Sequence, residues 1–328
     1  MAISAYGPGK QFQHYLPQLL LDAWCDGNGK LTRYHEPHTS KLVFSRTSKR
    51  STGGETNLYT LMTLGRGPSD ESDFDENGNP RFPQTQMIEN YFADQIDTSE
   101  VKDAIGKLCT NIEINVAEKR SVSRFISSIN YRNPPQIMRF YEKHRASIES
   151  LIKDIETRIV EFGIDVTDRE RMPDFLKLLT DIHTERNIHV ELNAHLFDML
   201  KSINNPELIS SLCRTSWIVY RKHPDEENLL VSDTPLMFGH SFDVGQDAID
   251  WVLPLSPEHL LFAVEPDLVG DFIAISRDRS YVTQVNTLQI QQAYSNVYSK
   301  DEGQFDFVKS IWFSQPTETL GEHPAHQR

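Results

Sequence analysis

An aspartate at the end of a buried strand is the first residue in this sequence that could do chemistry. Asp233 lies between the apolar residues Leu230 and Val231 and the turn at Pro235. The apolar runs within 228–264 are too short for helices and are interrupted by prolines, so we predict neighbouring buried strands there. A carboxylate in such surroundings can hold a metal ion, orient a histidine or accept backbone N–H groups.

A second acidic group resembles half of a calcium-binding loop. Asp73, Asp75, Asn77 and Gly78 have the spacing in which alternate oxygens surround Ca²⁺ and glycine makes the sharp turn. The twelfth position, however, is Gln84 where a bidentate glutamate is required. We therefore interpret the acidic segment as a surface insertion.

Two further groups of residues have spacings found in known sites. Arg139 and His144 have the R-x4-H spacing of a class of small helical ribonucleases, but this spacing arises easily by chance in a chain with twelve histidines. The other group could hold a metal but lacks the H-E-x-x-H motif, which favours a polar outer helix face. Its members are His183, His189, Glu191 and His195.

The elements that must position these residues indicate an α+β fold with β-rich ends. Within residues 13–24 a helix is predicted to begin near Pro17, with His14 and Tyr15 just ahead of its start, and a helical lobe is predicted over about 85–212. A last helix is predicted over Leu288–Tyr298, and a disordered tail follows over 315–328. The predicted strands are Leu31–Tyr34, Lys41–Ser45, Asn57–Leu61, Ser216–Tyr220, Leu229–Val231, Leu236–Phe238, Trp251–Leu255 and Leu260–Val264.

This order of elements makes a prediction about the sheet. The first strands precede the helical block and the last strands follow it, so N-terminal and C-terminal strands must pair across a long sequence separation. We predict one α+β domain over 1–314, with the helical block packed on one side of that sheet.

Composition limits the classes of function. The net charge of −14 argues against a general nucleic-acid coat, although seven basic residues against four acidic ones in the first sixty allow a local basic face. No apolar run is long enough for a membrane span and no secretory signal is visible, so we expect a cytoplasmic protein without a membrane partner. Cys25, Cys109 and Cys213 are widely spaced and are expected to be reduced.

Six motifs occur in an order that is typical of one family. They are HYLPQLLLDAW, NLYT, an Arg-x-Pro turn at Arg132, LLVSDTPLMF, WVLPLSP and VNTLQIQQAYSNVYS. Together, over about residues 10–300, they resemble the bacterial domain of unknown function 4238 family. The resemblance implies no settled activity, and this chain departs from the family at Gln18, at Gln291 and in the acidic insertion after Gly65.

The resemblance identifies candidate site residues, and their chemistry suggests a hydrolase of phosphate esters or nucleic acid. Such chemistry needs a group that titrates near neutrality, a carboxylate and a cation. His14 would be the general acid or base, Asp233 its orienter or a metal ligand, and Arg132 an anion clamp. The resemblance also implies binding positions at Tyr15, Ser232, Ser256 and Asn286. Of these, Ser232 and Asn286 would be hydrogen-bond donors.

Two other interpretations stay open. The same residues could form a non-catalytic sensor or regulatory protein, possibly in bacterial defence, with a ligand pocket lined by Trp24, Tyr59 and Trp251 around His14. Alternatively they could satisfy local backbone groups at turns and helix ends. A hydrogen bond between His14 and Asp233 beside a cleft would favour an enzyme. The sequence leaves the cofactor, the metal, the ligand (small molecule or nucleic acid) and the oligomeric state unassigned.

Overall fold

A computed structural model gives the fold of the described residues. These are residues 12–37, 41–56, 58, 61–62, 84–85, 87–140, 142–143, 146, 187–238, 251–270 and 281–314. The candidate calcium loop, His144 and His183 lie outside them, as do the side chains of His189 and Glu191. Of the other residues in those groups, Arg139 is exposed and His195 is buried.

The described elements confirm the α+β class. The strands are β1 (Phe12–His14), β2 (Lys30–His35), β3 (Val43–Ser48), β4 (Gly54–Thr56), β5 (Leu61–Met62), β6 (Gln84–Thr85), β7 (Ser216–Arg221), β8 (Val231–Ser232), β9 (Met237–Phe238), β10 (Trp251–Ser256), β11 (His259–Val264) and β12 (Asn296–Ser299). The helices are α1 (Gln18–Leu21), α2 (Met87–Gln95), α3 (Ser99–Cys109), α4 (Val116–Tyr131), α5 (Asn187–Ile203), α6 (Pro206–Arg214), α7 (Tyr281–Gln292) and α8 (Phe305–Trp312).

The first sheet joins the two ends of the chain, as predicted. Its antiparallel strand order is β3-β2-β12-β8, and β12 pairs with β2 in the register Tyr34↔Val297 and Arg33↔Tyr298. Alternation along the strands places Tyr34 and Val297 on one face, where they pack with α8 residues such as Val308. The opposite face meets the main core.

The second sheet is made of strands from the C-terminal part alone, in the antiparallel order β7-β11-β10-β9. Strands β8 and β9 belong to different sheets, so the segment between them crosses from one sheet to the other. Asp233 lies at the beginning of this crossing. The apolar run that ends at Phe238 therefore supplies a strand to each sheet, and β9 pairs with β10 as neighbouring strands.

Local sequence signals explain how several helices begin. Asn115 caps α4 and forms a capping box with Glu118, each side chain bonding the other residue's backbone N–H. Asn205 caps α6, which has Pro206 in its first turn. The short helix α1 follows Pro17, and Trp24 after it donates its indole N–H to the Leu229 carbonyl at 2.9 Å. No described helix is long and apolar enough to cross a membrane.

The predicted last helix over Leu288–Tyr298 was wrong. Helix α7 begins at Tyr281 and ends at Gln292, and residues 296–299 form the strand β12. The helix stops because the backbone N–H groups that follow it bond to the Asp233 carboxylate instead of to the preceding turn. Tertiary pairing in the centre of a sheet then overrides the helical spacing.

Candidate functional site

The strand pair β1–β4 carries His14 and Tyr15. His14 pairs with Gly54 in this ladder, and the Leu16 N–H donates to the Gly53 carbonyl at 2.9 Å. A Cβ on Gly54 would lie 2.4 Å from the Gln13 carbonyl oxygen, closer than real Cβ contacts allow. Only glycine therefore permits the close approach that sets the position of His14 and Tyr15.

Tyr15 is the residue of this motif that reaches Asp233. Its ring is buried, its hydroxyl is hydrogen-bonded to the Asn296 side chain, and it interacts electrostatically with Asp233 and Tyr298. Tyr298 is also fully buried and accepts a hydrogen bond from the Thr52 hydroxyl at 3.1 Å. We call Tyr15, Thr52, Asp233, Asn296 and Tyr298 the Asp233 cluster. They bring four distant chain segments together.

The Asp233 carboxylate is held by backbone N–H groups. Oδ1 accepts from the Tyr294 N–H at 2.7 Å, and Oδ2 accepts from the N–H groups of Ser295 and Asn296 at 2.8 Å each. The Asn296 amide adds a fourth donor at 3.2 Å. The main chain therefore satisfies the carboxylate, as expected if Asp233 only bonds to backbone groups. The donors, however, are residues 294–296, where the chain enters β12.

Burial and hydrogen bonding act in opposite directions on the Asp233 carboxyl. Burial raises the pKa of Asp233 to about 6, while its four N–H donors favour the ionised form and lower it. Burial, followed by the nearby Asp233 charge, raises the pKa of Tyr15 and the pKa of Tyr298 above the ordinary tyrosine value. Both phenols are therefore neutral hydrogen-bonding groups at neutral pH.

The raised pKa of Asp233 predicts a pH dependence of stability. The folded state binds this proton more tightly than the unfolded state, in which the pKa is 3.8. The contribution to the free energy of unfolding is therefore present below about pH 4 and is lost as pH rises to about 6, with a magnitude up to about 3 kcal/mol. Exposed Asp26, whose pKa is lowered mainly by the Lys30 N–H, contributes in the opposite direction.

Carboxyl-carbon NMR measures this effect directly. The Asp233 resonance is expected to titrate near pH 6 and the Asp26 resonance below the ordinary aspartate pKa. Urea unfolding of wild type and Asp233→Asn reports how the pH dependence of the free energy of unfolding differs between them. A titration of Asp233 at or below its ordinary value would contradict the prediction and would mean that the N–H donors outweigh burial.

Side-chain amides of α7 satisfy the backbone beside Asp233. Asn286 accepts from the Leu230 N–H at 2.8 Å and donates to the Asn228 carbonyl at 2.9 Å. Gln289 Oε1 accepts from both the N–H and the hydroxyl of Ser232. The helix thus takes the place of a neighbouring strand, and these bonds fully explain why Asn286 and Ser232 are buried polar residues.

His14 faces a different carboxylate, that of Glu89 on α2. Glu89 Oε1 lies 3.7 Å from His14 Nδ1 and accepts the His14 backbone N–H at 3.4 Å. Glu89 Oε2 is buried and has no hydrogen-bond partner within the described residues. The sequence prediction that a carboxylate orients His14 therefore has Glu89 as its geometric candidate.

The remaining contacts of His14 identify which ring nitrogen can exchange a proton. Nε2 lies 3.3 Å from the Arg50 carbonyl, which can only accept, so Nε2 carries a hydrogen. The Gln18 amide nitrogen lies 3.3 Å from both ring nitrogens. Because Nε2 already carries a hydrogen, the amide donates to Nδ1 when the ring is neutral. Nδ1 is thus the atom that gains a proton, and that proton faces Glu89.

The other predicted site residues have partners of their own. Arg132 ends α4, is fully buried, donates to both oxygens of Asp97 at 2.9 and 3.0 Å, and lies over the Phe92 ring. Ser256 bonds to His259 Nδ1 at 2.8 Å in the β10–β11 turn. His14, Asp233 and Arg132 are therefore each held by different partners.

Three of the observed site residues were missed by the sequence analysis for identifiable reasons. Glu89 lies on an amphipathic helix, 75 residues from His14, and nothing local marks it. Asn296 and Tyr298 were placed in a helix, although the Val297 and Tyr298 pair between turn residues is a signal for a strand. Within the described part of the chain, no three His, Cys, Asp or Glu side chains form a metal-binding group.

Comparison with known proteins adds a family match. A family model described as "Protein of unknown function (DUF4238)" matches residues 13–303. The matched range includes His14, Glu89 and every residue of the Asp233 cluster. No curated protein and no solved structure matches the chain.

Proposed function

The chain belongs to the DUF4238 family, and from that premise we propose that it is a hydrolase of phosphate esters or nucleic acid with His14 as its acid–base residue. The observation that carries the proposal is the His14–Glu89 pair. It joins a titratable ring to a carboxylate with one buried oxygen that has no hydrogen-bond partner among the described residues. Such pairs of histidine and carboxylate are a recurrent arrangement for proton transfer.

The exposure of the pair supports a reaction with an external substrate. The side chains of His14 and Glu89 are 12% and 28% exposed, whereas Asp233 is 1% exposed. Gln18, which covers Nδ1, is itself partly exposed, so its amide can be displaced by a substrate or by water. The Asp233 cluster then acts as the rigid support that holds β1 in place.

The proposed step is hydrolysis with His14 as the base. Nδ1 takes a proton from a water molecule while the water oxygen forms a bond to phosphorus and the bond from phosphorus to the leaving oxygen breaks. Solvent protonates the leaving oxygen, and the imidazolium returns its proton to solvent. Glu89 stabilises the positive ring and fixes its orientation, as a positioning residue.

The basic residues next to His14 support an anionic substrate. Arg50, whose carbonyl contacts the His14 ring, has an exposed side chain, and Lys49 precedes it in a short 3₁₀ helix. Lys49 forms an ion pair with Asp22, so its positive charge is partly neutralised. The positive surface is therefore local, which suits a single phosphate group. A protein that coats nucleic acid needs a more extensive positive surface.

An activity screen tests the proposal. Wild-type protein is incubated with labelled RNA, labelled DNA and a chromogenic phosphate ester, each with EDTA, Mg²⁺, Mn²⁺ or Zn²⁺. We expect hydrolysis of at least one substrate class, and the same preparation of His14→Gln measures contaminating activity. Wild-type rates equal to those of His14→Gln under every condition would refute the proposal.

Glu89→Gln is expected to lower the rate of this hydrolysis by roughly tenfold to a hundredfold. The amide oxygen can still accept the His14 backbone N–H, so the fold is preserved, while the negative charge that stabilises the protonated ring is lost. The measurement is the pH–rate profile beside that of Glu113→Gln, an exposed glutamate in the loop before α4. Equal profiles for the two variants would remove Glu89 from the mechanism.

A specific observation favours a second candidate, a non-catalytic binding protein. Asp233 and Asn286 direct their polar atoms to the main chain, and the Ser232 hydroxyl donates to the Gln289 side chain. These internal bonds give the family motifs a scaffold role. In that case saturable ligand binding would occur without turnover. Binding of a labelled nucleotide or RNA by a protein that fails the activity screen would support this candidate.

A further inference from the structure

A separate polar group lies on strands β2 and β3. Arg33 and Ser45 are directly opposite in the β2–β3 register, and His35 lies two residues further along β2. The strand alternation therefore places all three side chains on one face of the first sheet. In the β2–β12 register, Tyr298 is opposite Arg33 and Asn296 is opposite His35, so the Asp233 cluster borders this group.

Arg33 carries a positive charge that no described carboxylate neutralises by an ion pair. Its Nη2 donates to His35 Nε2 at 3.2 Å, and its Nε is buried without a hydrogen-bond partner in the described part of the chain. A buried guanidinium N–H without an acceptor is costly, because its lost hydration is not replaced. Among the described residues, Arg33 Nε lacks such an acceptor.

The other two side chains also present unused polar hydrogens. A guanidinium can only donate, so His35 Nε2 accepts and the neutral ring carries its hydrogen on Nδ1. Burial, followed by the Arg33 charge, lowers the pKa of His35 and keeps the ring neutral at pH 7. His35 Nδ1 and Ser45 Oγ are both buried and, like Arg33 Nε, have no partner among the described residues.

We propose that Arg33, His35 and Ser45 bind an oxyanion, the phosphate or carboxylate group of a small ligand. Three hydrogen-bond donors without partners, one of them charged, match the acceptor-only oxygens of such a group. The three residues are only partly buried as a whole, and β3 is an edge strand among the described strands, so a ligand can approach from that edge. The proposal does not depend on the hydrolysis proposed for His14.

The nearby negative charge is compatible with such a site. The fully buried phenol of Tyr298 interacts electrostatically with both Asp233 and Arg33. Four N–H groups also face the Asp233 carboxylate. The charge that an anion meets first is therefore that of Arg33.

Calorimetric titration of the full chain with inorganic phosphate and, separately, with acetate tests the site, with chloride holding the ionic strength constant. We expect saturable binding of at least one anion, about tenfold weaker in Ser45→Ala because one hydrogen bond to a charged group is lost. The matched control is Ser48→Ala, a change on the same strand but the opposite face, which should bind as wild type does.

The two anions and the three variants decide the outcome. Binding of phosphate alone assigns a phosphate ligand, binding of acetate alone a carboxylate ligand, and binding of both a general oxyanion site. His14→Gln should leave the binding that depends on Ser45 unchanged, because phosphate bound beside His14 would occupy a separate site. Absence of saturable binding, equal affinities of Ser45→Ala and Ser48→Ala, or loss of binding in His14→Gln would overturn the proposal.

Discussion

Replacing Asp233 with asparagine is expected to lower the free energy of unfolding by about 2–4 kcal/mol at pH 7. The asparagine amide must face either the Tyr294 N–H or the N–H groups of Ser295 and Asn296. Either orientation puts two donors together and leaves buried N–H groups without acceptors. Part of the loss is offset because asparagine does not bury a charge. Urea unfolding measures the difference.

Asp103→Asn is the matched control, because Asp103 lies on the exposed face of α3 and its replacement should change stability by less than about 0.5 kcal/mol. The hydrolytic activity of Asp233→Asn distinguishes a scaffold role of Asp233 from a catalytic role. If Asp233→Asn is as stable as wild type but loses hydrolysis, the carboxylate acts in the reaction, as the sequence analysis first predicted. A destabilised variant that keeps activity in proportion to its folded fraction supports the scaffold role.

His14→Gln is expected to reduce hydrolysis by roughly a hundredfold to ten-thousandfold, because proton transfer by a positioned side chain contributes about that much. Glutamine can still bond to the Arg50 carbonyl and to Gln18, so the stability should change by about 1 kcal/mol or less. The measurement is the rate on the best substrate of the activity screen, together with its pH profile between 5 and 8.

The matched control for this variant is His223→Gln, which changes an exposed histidine in the turn after β7. It should retain the wild-type rate and profile. A His14→Gln protein with an unchanged rate would show that the observed hydrolysis arises elsewhere. A protein with a reduced rate but an unchanged pH profile would give His14 a binding role instead.

The parts of the fold that the sequence predicted well are those with strong local signals. The apolar run before Val264 and its partner at Trp251 form the hairpin β10–β11, because proline and turn residues separate two short buried segments. The pairing of N-terminal with C-terminal strands was predicted from the order of elements alone. The first sheet confirms it, since β2 and β8 belong to one sheet, although β12, which joins them, was predicted to be helical. These inferences needed no knowledge of side-chain contacts.

The site was harder to predict because its contacts are long-range. Asp233 was correctly identified as an unusual acid, but its donors lie 61 to 63 residues away in a segment predicted to be helical. The same helix prediction kept Tyr298 from being recognised as a site residue. Glu89 could not be paired with His14 from the sequence, since any glutamate on an amphipathic helix resembles an ordinary solvent-exposed residue.

The central place of β12 in the first sheet has a consequence for biosynthesis. Thr32 and Ser299 are opposite residues of one ladder, so the ribosome must make nearly the whole of the intervening chain before β2 gains its second neighbour. Until then the edge of β2 is open to other nascent chains. The Asp233 carboxylate also lacks the N–H donors of residues 294–296. Folding of this sheet is consequently a late and slow event, in which a chaperone has a long interval to act.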